Sequence, residues 1–297
     1  MQASFRFSIL LPAFRARYLK ECLASILAQS FRDFELIVVD DASEEDLLSI
    51  VRSFDDPRIR YYRNEVGCGA ERVVDNWNIC LGYAKGEFVL NMGDDDMLEQ
   101  DCLLEYDRLV RSFPSLDVYH IRTTLIDENG EVIRLLEERP QTEDVLTMIR
   151  CRWSGRMQMI GDYLFRREPL VEQGGFYYLP FAWGSDDVTV FRAAAAQGIA
   201  NSNFPGFRFR KSRYSISGST SNVEGKLRSL PLYRAWFRSF FGRRLCGEAR
   251  YFRSQRIYFL SCDRVHPFRW WLRNRKAFGL SLFDCLAAYG KKRLHAR

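Results

Sequence analysis

The chain has 297 residues, 47% of them hydrophobic, with a formal net charge of +6 and eight cysteines. That is enough for one large domain or two modest ones with a sizeable core, and no run reaches the ~18 uncharged apolar residues of a membrane-spanning helix. The cysteines form no CxxC pair and only three histidines are present, which excludes a readable zinc or disulfide framework and predicts reduced, cytosolic thiols in the core.

In chain order, residues 7–11 form a short apolar run ended by Pro12. Residues 7–14 are closed by Arg15 and lack a small-residue cleavage site, so they read as a first strand rather than a signal peptide. Leu19, Cys22, Leu23, Ile26 and Leu27 recur at helical spacing. Residues 35–39 form a second strand, and Ser43 with Asp46 reads as a capping box opening a helix to about Phe54. A third strand at 59–62, a helix marked by Val73, Trp77, Cys80, Leu81 and Ala84, and a fourth strand at 87–92 follow. Repeated βα units this short predict an α/β fold, a mainly parallel sheet flanked by helices.

Beyond the fourth strand, the pattern predicts a helix at 100–113, a strand at 118–126 and an Asn129-Gly130 hairpin into 131–135. A helix at 142–150 is expected, then an aromatic, loop-rich stretch at 151–183, then a helix at 185–197. Residues 208–217 read either as a last strand or as a clamp loop. From Leu230 the chain reads as helical and dense in Arg, Trp and Phe.

Three acidic clusters carry the chemistry. Asp94-Asp95-Asp96 follows a buried strand, and Asp40-Asp41 follows another, so both fall at strand carboxyl ends, where open α/β sheets bind ligands. Crowded carboxylates at such an edge suit a hard cation bridging them to a diphosphate. Asp40 or Asp41 could accept hydrogen bonds from a base or ribose, while the other caps the next helix. No G-x-G-x-x-G follows the first strand, which argues against a hydride-transfer dinucleotide site. Asp186-Asp187, beside Trp183-Gly184 at a helix start, could supply a general base, or simply favourable charge at a helix N-terminus.

The ordered runs FSILLP at 7–12, LIVVDDAS at 36–43 and AKGEFVL at 84–90 leading into the Asp triplet resemble the family 2 glycosyltransferases of GT-A fold. The likeness covers residues 5–215 and is strongest over the first hundred. It implies a sugar-nucleotide donor (a UDP-sugar first), a Mg²⁺ or Mn²⁺ ion, and inversion at the anomeric carbon. By resemblance, Pro12, Ala13, Phe14, Asp40, Asp41, Arg72, Asp94 and Asp95 form the nucleotide site. Asp94 and Asp96 are then the metal pair, with Asp95 as an alternative ligand. Where many members carry Glu-Asp, this chain has Ser185-Asp186-Asp187, so the base is Asp186, or Asp187 after a one-residue shift. Arg210, Arg213 and Tyr214 are candidates for a diphosphate clamp. The family's Gln-x-x-Arg-Trp signature of processive members is absent, implying one sugar per encounter.

Residues 225–297 hold 18 Lys and Arg against three acids, a net +15, which leaves residues 1–224 at −9. The expected division is therefore a catalytic domain at 1–224, with a nucleotide-binding half at 1–98 and an acceptor half at 99–224, and a basic helical tail at 225–297. The tail interleaves arginines with Trp236, Phe237, Phe240, Phe241, Phe268, Trp270 and Trp271. That mixture suits an anionic membrane surface, or a flap packed on the acidic body; no nucleic-acid motif is present. The whole then reads as a cytoplasmic enzyme, peripheral on the inner membrane face, acting on a glycan or lipid-linked acceptor in cell-surface polysaccharide synthesis. Two rivals are a sugar nucleotidyltransferase, which usually carries a Gly-rich loop after the first strand, and a non-catalytic interaction subunit of the same fold.

Overall fold

The computed structural model describes residues 5–212, 215 and 223–244. Its first hundred residues follow the expected alternation: β1 (Phe5–Ala13), α1 (Leu19–Leu27), β2 (Phe34–Asp40), α2 (Leu47–Arg52), β3 (Ile59–Arg63), α3 (Val73–Tyr83) and β4 (Gly86–Asn91). Then come β5 (Met97–Leu98), α4 (Cys102–Ser112), β6 (Val118–Ile126), β7 (Val132–Leu135), β8 (Thr142–Glu143) and α5 (Val145–Ser154). The described part closes with β9 (Tyr163–Arg166), α6 (Arg167–Glu172), α7 (Ser185–Ala193), β10 (Ile199–Arg210) and α8 (Val223–Arg244).

One sheet runs in the order β3-β2-β1-β4-β9-β6-β10-β5, with β7 on β6 and β8 on β10. Strands β3, β2, β1 and β4 are mutually parallel, and β6 with β10 is also parallel. Between these blocks β9 runs antiparallel to both β4 and β6. Side chains alternate across the sheet, so neighbouring strand residues enter different cores. Phe88 and Leu90 pack with α1, α2 and α4 on one face, while Val89 packs with α3, α5, α7 and α8 on the other. With both faces covered, the central strands can be apolar throughout.

Several boundaries differ from the sequence reading. Ser43 does not open α2: its hydroxyl donates to the Phe14 carbonyl, and Asp46 caps instead by accepting from the Ser49 N–H at 3.0 Å. Helix α5 starts at Val145, because Asp144 caps it while Thr142 and Glu143 pair with β10. The 151–183 stretch contains a strand and a helix, β9 and α6, rather than loop alone. Strand β10 begins at Ile199, nine residues before the predicted start, and a register shift between Ser202 and Phe207 absorbs Pro205 and Gly206.

The tail boundary shifts as well. Helix α8 lies on the catalytic body, with Tyr233, Phe237 and Phe241 buried in the same core as Phe191, and Trp236 and Phe240 half-buried against it. The Phe237 ring stands 6.1 Å from that of Phe191, and Trp236 stacks on Phe240 at 4.8 Å. These aromatics pack on the body, as the flap reading expects. Phe268, Trp270 and Trp271 lie outside the described residues.

Candidate active site

A cavity of about 850 Å³ opens at the carboxyl ends of β1, β2 and β4. Pro12, Ala13 and Phe14 line it at the end of β1, and Phe14 is 48% exposed there. The apolar strands end at this edge because their sequences change abruptly to Pro-Ala-Phe, Asp-Asp and Gly-Asp-Asp-Asp.

The two carboxylates after β2 separate. Asp40 is fully buried and does not line the cavity: it accepts from the Ser43 N–H at 2.8 Å and the Tyr61 hydroxyl at 2.6 Å, and pairs with the Arg63 guanidinium. This corrects the expectation that Asp40 lines a nucleotide pocket, since its partners hold it beneath the wall. Asp41 does line the cavity. One of its oxygens accepts from the Asn64 amide at 2.9 Å and the Cys68 N–H at 2.7 Å, and the other from the Gly69 N–H at 2.9 Å. The loop from Asn64 to Gly69 thus exists to hold Asp41, and a Cβ on Gly67 would stand 2.6 Å from the Asp41 carbonyl oxygen. Arg72, expected at the nucleotide, points to solvent and donates to Asp75 at 2.6 Å.

The triplet after β4 is all on the wall. Asp94 accepts from the backbone N–H groups of Phe14 and Arg15 at 2.7 and 2.8 Å, tying the loop after β1 to the end of β4. Asp96 accepts from the Arg210 and Gly93 N–H groups at 2.9 and 3.3 Å. Burial holds all three carboxyls above their ordinary range. Asp95 is pushed up to about 7 by burial and then by the charge of Asp94, and Asp96 stands well above normal from burial and from Asp95. Carboxylates crowded in this way form an all-oxygen donor set for a hard cation. Among the described residues no cluster of three or more side chains forms a ready cage. The oxygen-only chemistry of Asp94, Asp95 and Asp96 is of the kind a hard divalent cation accepts when one or two carboxylates are joined by phosphates and water.

Arg210 is not a clamp. Its guanidinium is fully buried, donating to the Asp95 carbonyl at 2.8 Å and to Glu21 at 2.8 Å, and stacking 4.3 Å over Tyr18. It braces the triplet from behind. The other two clamp candidates, Arg213 and Tyr214, lie outside the described residues.

Asp186 and Asp187 begin α7, which Gly184 enters in the left-handed conformation (φ +92°). Asp186 lines the cavity, and burial followed by the Asp187 charge pushes its carboxyl up to about 7. Asp187 turns inward and is 4% exposed, with both oxygens occupied: Arg152 and Gln158 donate to one at 2.6 and 2.7 Å, and the Tyr233 hydroxyl to the other at 2.6 Å. Sequence reasoning missed Asn76, Asn91, Gln158 and Met159 on the same wall. Asn91 is buried, and neither atom of its amide group has a partner among the described residues. A polar residue ending an apolar strand was the available signal.

Residues 8–170 match the Glycosyl transferase family 2. The chain is 38% identical over 96 residues to the GalNAc(5)-diNAcBac-PP-undecaprenol beta-1,3-glucosyltransferase of Campylobacter jejuni, covering 31% of this chain and 30% of that relative. It therefore spans about a third of that relative's length. In fold it is similar to Staphylococcus aureus TarS 1-349 in complex with UDP-GlcNAc, at TM-score 0.64 and 22% identity, over 77% of this chain and 66% of that one. It is also similar to the Pyrobaculum calidifontis mannosyltransferase PcManGT in complex with GDP-Man and Mn²⁺, at TM-score 0.55 and 17% identity, over 96% and 87%. With more than half its length inside the family match, the chain belongs to glycosyl transferase family 2, and it has the GT-A fold.

Proposed function

We propose that the protein transfers one sugar, with inversion, from a nucleoside-diphosphate sugar to a glycan or lipid-linked acceptor in cell-surface polysaccharide synthesis. The observation that carries this reading is a single cavity wall holding both the Asp94-Asp95-Asp96 edge and one inward carboxyl, Asp186, poised near neutral pH. Family membership and the names of the relatives support the donor and acceptor classes. Asp41, Pro12, Ala13 and Phe14 bind the nucleoside, with Phe14 offering an open aromatic face to the base. A Mg²⁺ or Mn²⁺ ion held by Asp95 with Asp94 or Asp96 would neutralise charge on the leaving diphosphate. Asp186 accepts the proton of the acceptor hydroxyl as its oxygen bonds to the anomeric carbon and the bond to the diphosphate breaks. A carboxyl raised toward 7 is a stronger base than an ordinary one, which suits that step.

Calorimetry with UDP-GlcNAc and GDP-mannose in Mn²⁺, followed by release of the nucleoside diphosphate, tests the reading. Binding that requires the metal and turnover that requires Asp186 are expected. Turnover at the wild-type rate in Asp186→Asn would defeat it.

A further inference from the structure

We propose that Tyr233, on a helix outside the family-matched span, is a positioning residue for catalysis: with Arg152 and Gln158 it pins Asp187, and so holds Asp186 toward the acceptor. The inference rests on the reading of Asp186 as base. Helix α7 has no side-chain cap of its own, because Gly184 supplies no side chain. Its first turn is instead held through Asp187 by donors from three separate elements. Arg152 comes from α5, Gln158 from the segment before β9, and Tyr233 from α8. Two of the donors are themselves fixed. Arg152 also donates to the Arg156 carbonyl at 3.0 Å, and Gln158 accepts from the Tyr163 hydroxyl at 2.9 Å, which in turn accepts from Arg139 at 2.9 Å. Charge-assisted bonds to a buried carboxylate are the strong kind, and a network with every oxygen occupied fixes one geometry.

The helix carrying Tyr233 also presses on the cavity wall. A Cβ on Gly184 would lie 2.8 Å from the Tyr233 ring, and one on Gly225 only 1.9 Å from the Phe181 ring. The Lys226 ammonium sits 5.0 Å over the Trp183 ring, and both Phe181 and Trp183 line the cavity. Helix α8 is therefore built against the turn that delivers Asp186. Adjacent residues on one helical turn share a backbone, so fixing the Asp187 side chain limits where its neighbour can point. The charged and titratable groups around the pair are Arg152 from α5, Asp162 from the turn before β9, Tyr163 from β9 and Tyr233 from α8. Burial first, and the neighbouring Asp187 second, raise the Asp186 carboxyl.

The test uses the full chain with UDP-GlcNAc and, in parallel, GDP-mannose, each with Mn²⁺, reading kcat, donor KM and the pH dependence of kcat. Tyr233→Phe keeps the ring and removes one hydroxyl, so the fold should persist. Its kcat should drop roughly 10–100-fold from misplacement of the base, with donor KM within about twofold. Arg152→Lys, which replaces a directed guanidinium with a point charge, should show the same split. Asp187→Asn should move the acidic limb of the kcat profile to lower pH, a shift that loss of packing alone does not produce. If Tyr233→Phe and Arg152→Lys keep wild-type kcat while Asp186→Asn is inactive, the donors to Asp187 have no positioning role. A rise in KM with kcat unchanged overturns it equally. If Asp186→Asn is itself active, the base assignment falls and the positioning role of Tyr233 falls with it.

Discussion

Asp186 and Asp187 are neighbours in sequence with opposite environments. Asp187 has three donors; Asp186 has a cavity, and burial penalises its charge. A carboxyl at about 7 in the folded state, against the ordinary value near 4 when unfolded, keeps its proton longer when folded. Stability therefore falls as pH rises between those two values, and the full penalty is present above about 7. Asp186→Asn should accordingly raise Tm at pH 8 and leave it nearly unchanged at pH 4, while abolishing turnover. Parallel melts at the two pH values check this, and equal shifts at both would show that charge is not the cause. The triplet yields a similar separation. Among the described residues Asp95 is the member for which no side chain or distant N–H serves as donor, so Asp95→Asn should remove metal-dependent donor binding. Asp94→Asn should in addition loosen the loop that carries Phe14. A Mn²⁺ titration of donor affinity distinguishes them. The sequence located two of the carboxylate groups by their strand ends and the third by its helix start. It could not say which of two neighbours faces the cavity, because that is set by donors 29–46 residues away.

At the scale of elements, legibility followed burial pattern. β1, β2 and β4 could be read because they are apolar on both faces, and α1 and α3 because their apolar residues recur at helical spacing. β9 is four residues long inside an aromatic stretch, so no period was available to mark it. β10 contains Pro205 and Gly206, ordinary strand breakers that a register shift accommodates. Helix α8 shows an arginine- and aromatic-rich pattern, whose burial against α7 only the assembled fold reveals. The loop at 64–69 is the element whose purpose was least visible, since its N–H groups serve one carboxylate, Asp41. Gly67→Ala should push that loop away, because the clash is with backbone rather than with a flexible side-chain end. Overpacking of this kind costs about 1–3 kcal/mol. Weaker nucleotide binding with kcat retained at saturating donor is the expected result, measured by calorimetry with UDP and by turnover at high donor.

At the scale of the molecule, charge is distributed against the fold boundary that composition suggested. The division at 224/225 falls inside α8, two residues after its start, and that helix packs on the body. The basic excess persists beyond it, with twelve Lys and Arg against three acids in residues 245–297. Among the described residues no helix is long and apolar enough to cross a membrane. We propose that residues 245–297 attach the protein to an anionic membrane through surface charge and inserted rings. Each basic residue near an anionic surface contributes about 1 kcal/mol, screened by salt, so a fraction of the twelve would suffice for peripheral binding. A chain ending at Arg244 should keep the cavity, the triplet and the Tyr233 contact, and should bind UDP-GlcNAc or GDP-mannose as the full chain does. It should no longer sediment with vesicles containing anionic lipid. In the full chain, raised salt should weaken sedimentation and leave a remainder that disappears in Trp270→Ala/Trp271→Ala, because ring insertion is not screened. A truncation at Leu230 should behave differently, exposing the core beneath Phe237 and Phe241 and freeing Asp187, with loss of both solubility and turnover. If the full chain ignores anionic vesicles at low salt, the membrane role of residues 245–297 is wrong. The distinction between the two truncations would still stand, because it depends on where α8 packs and not on what the last residues bind.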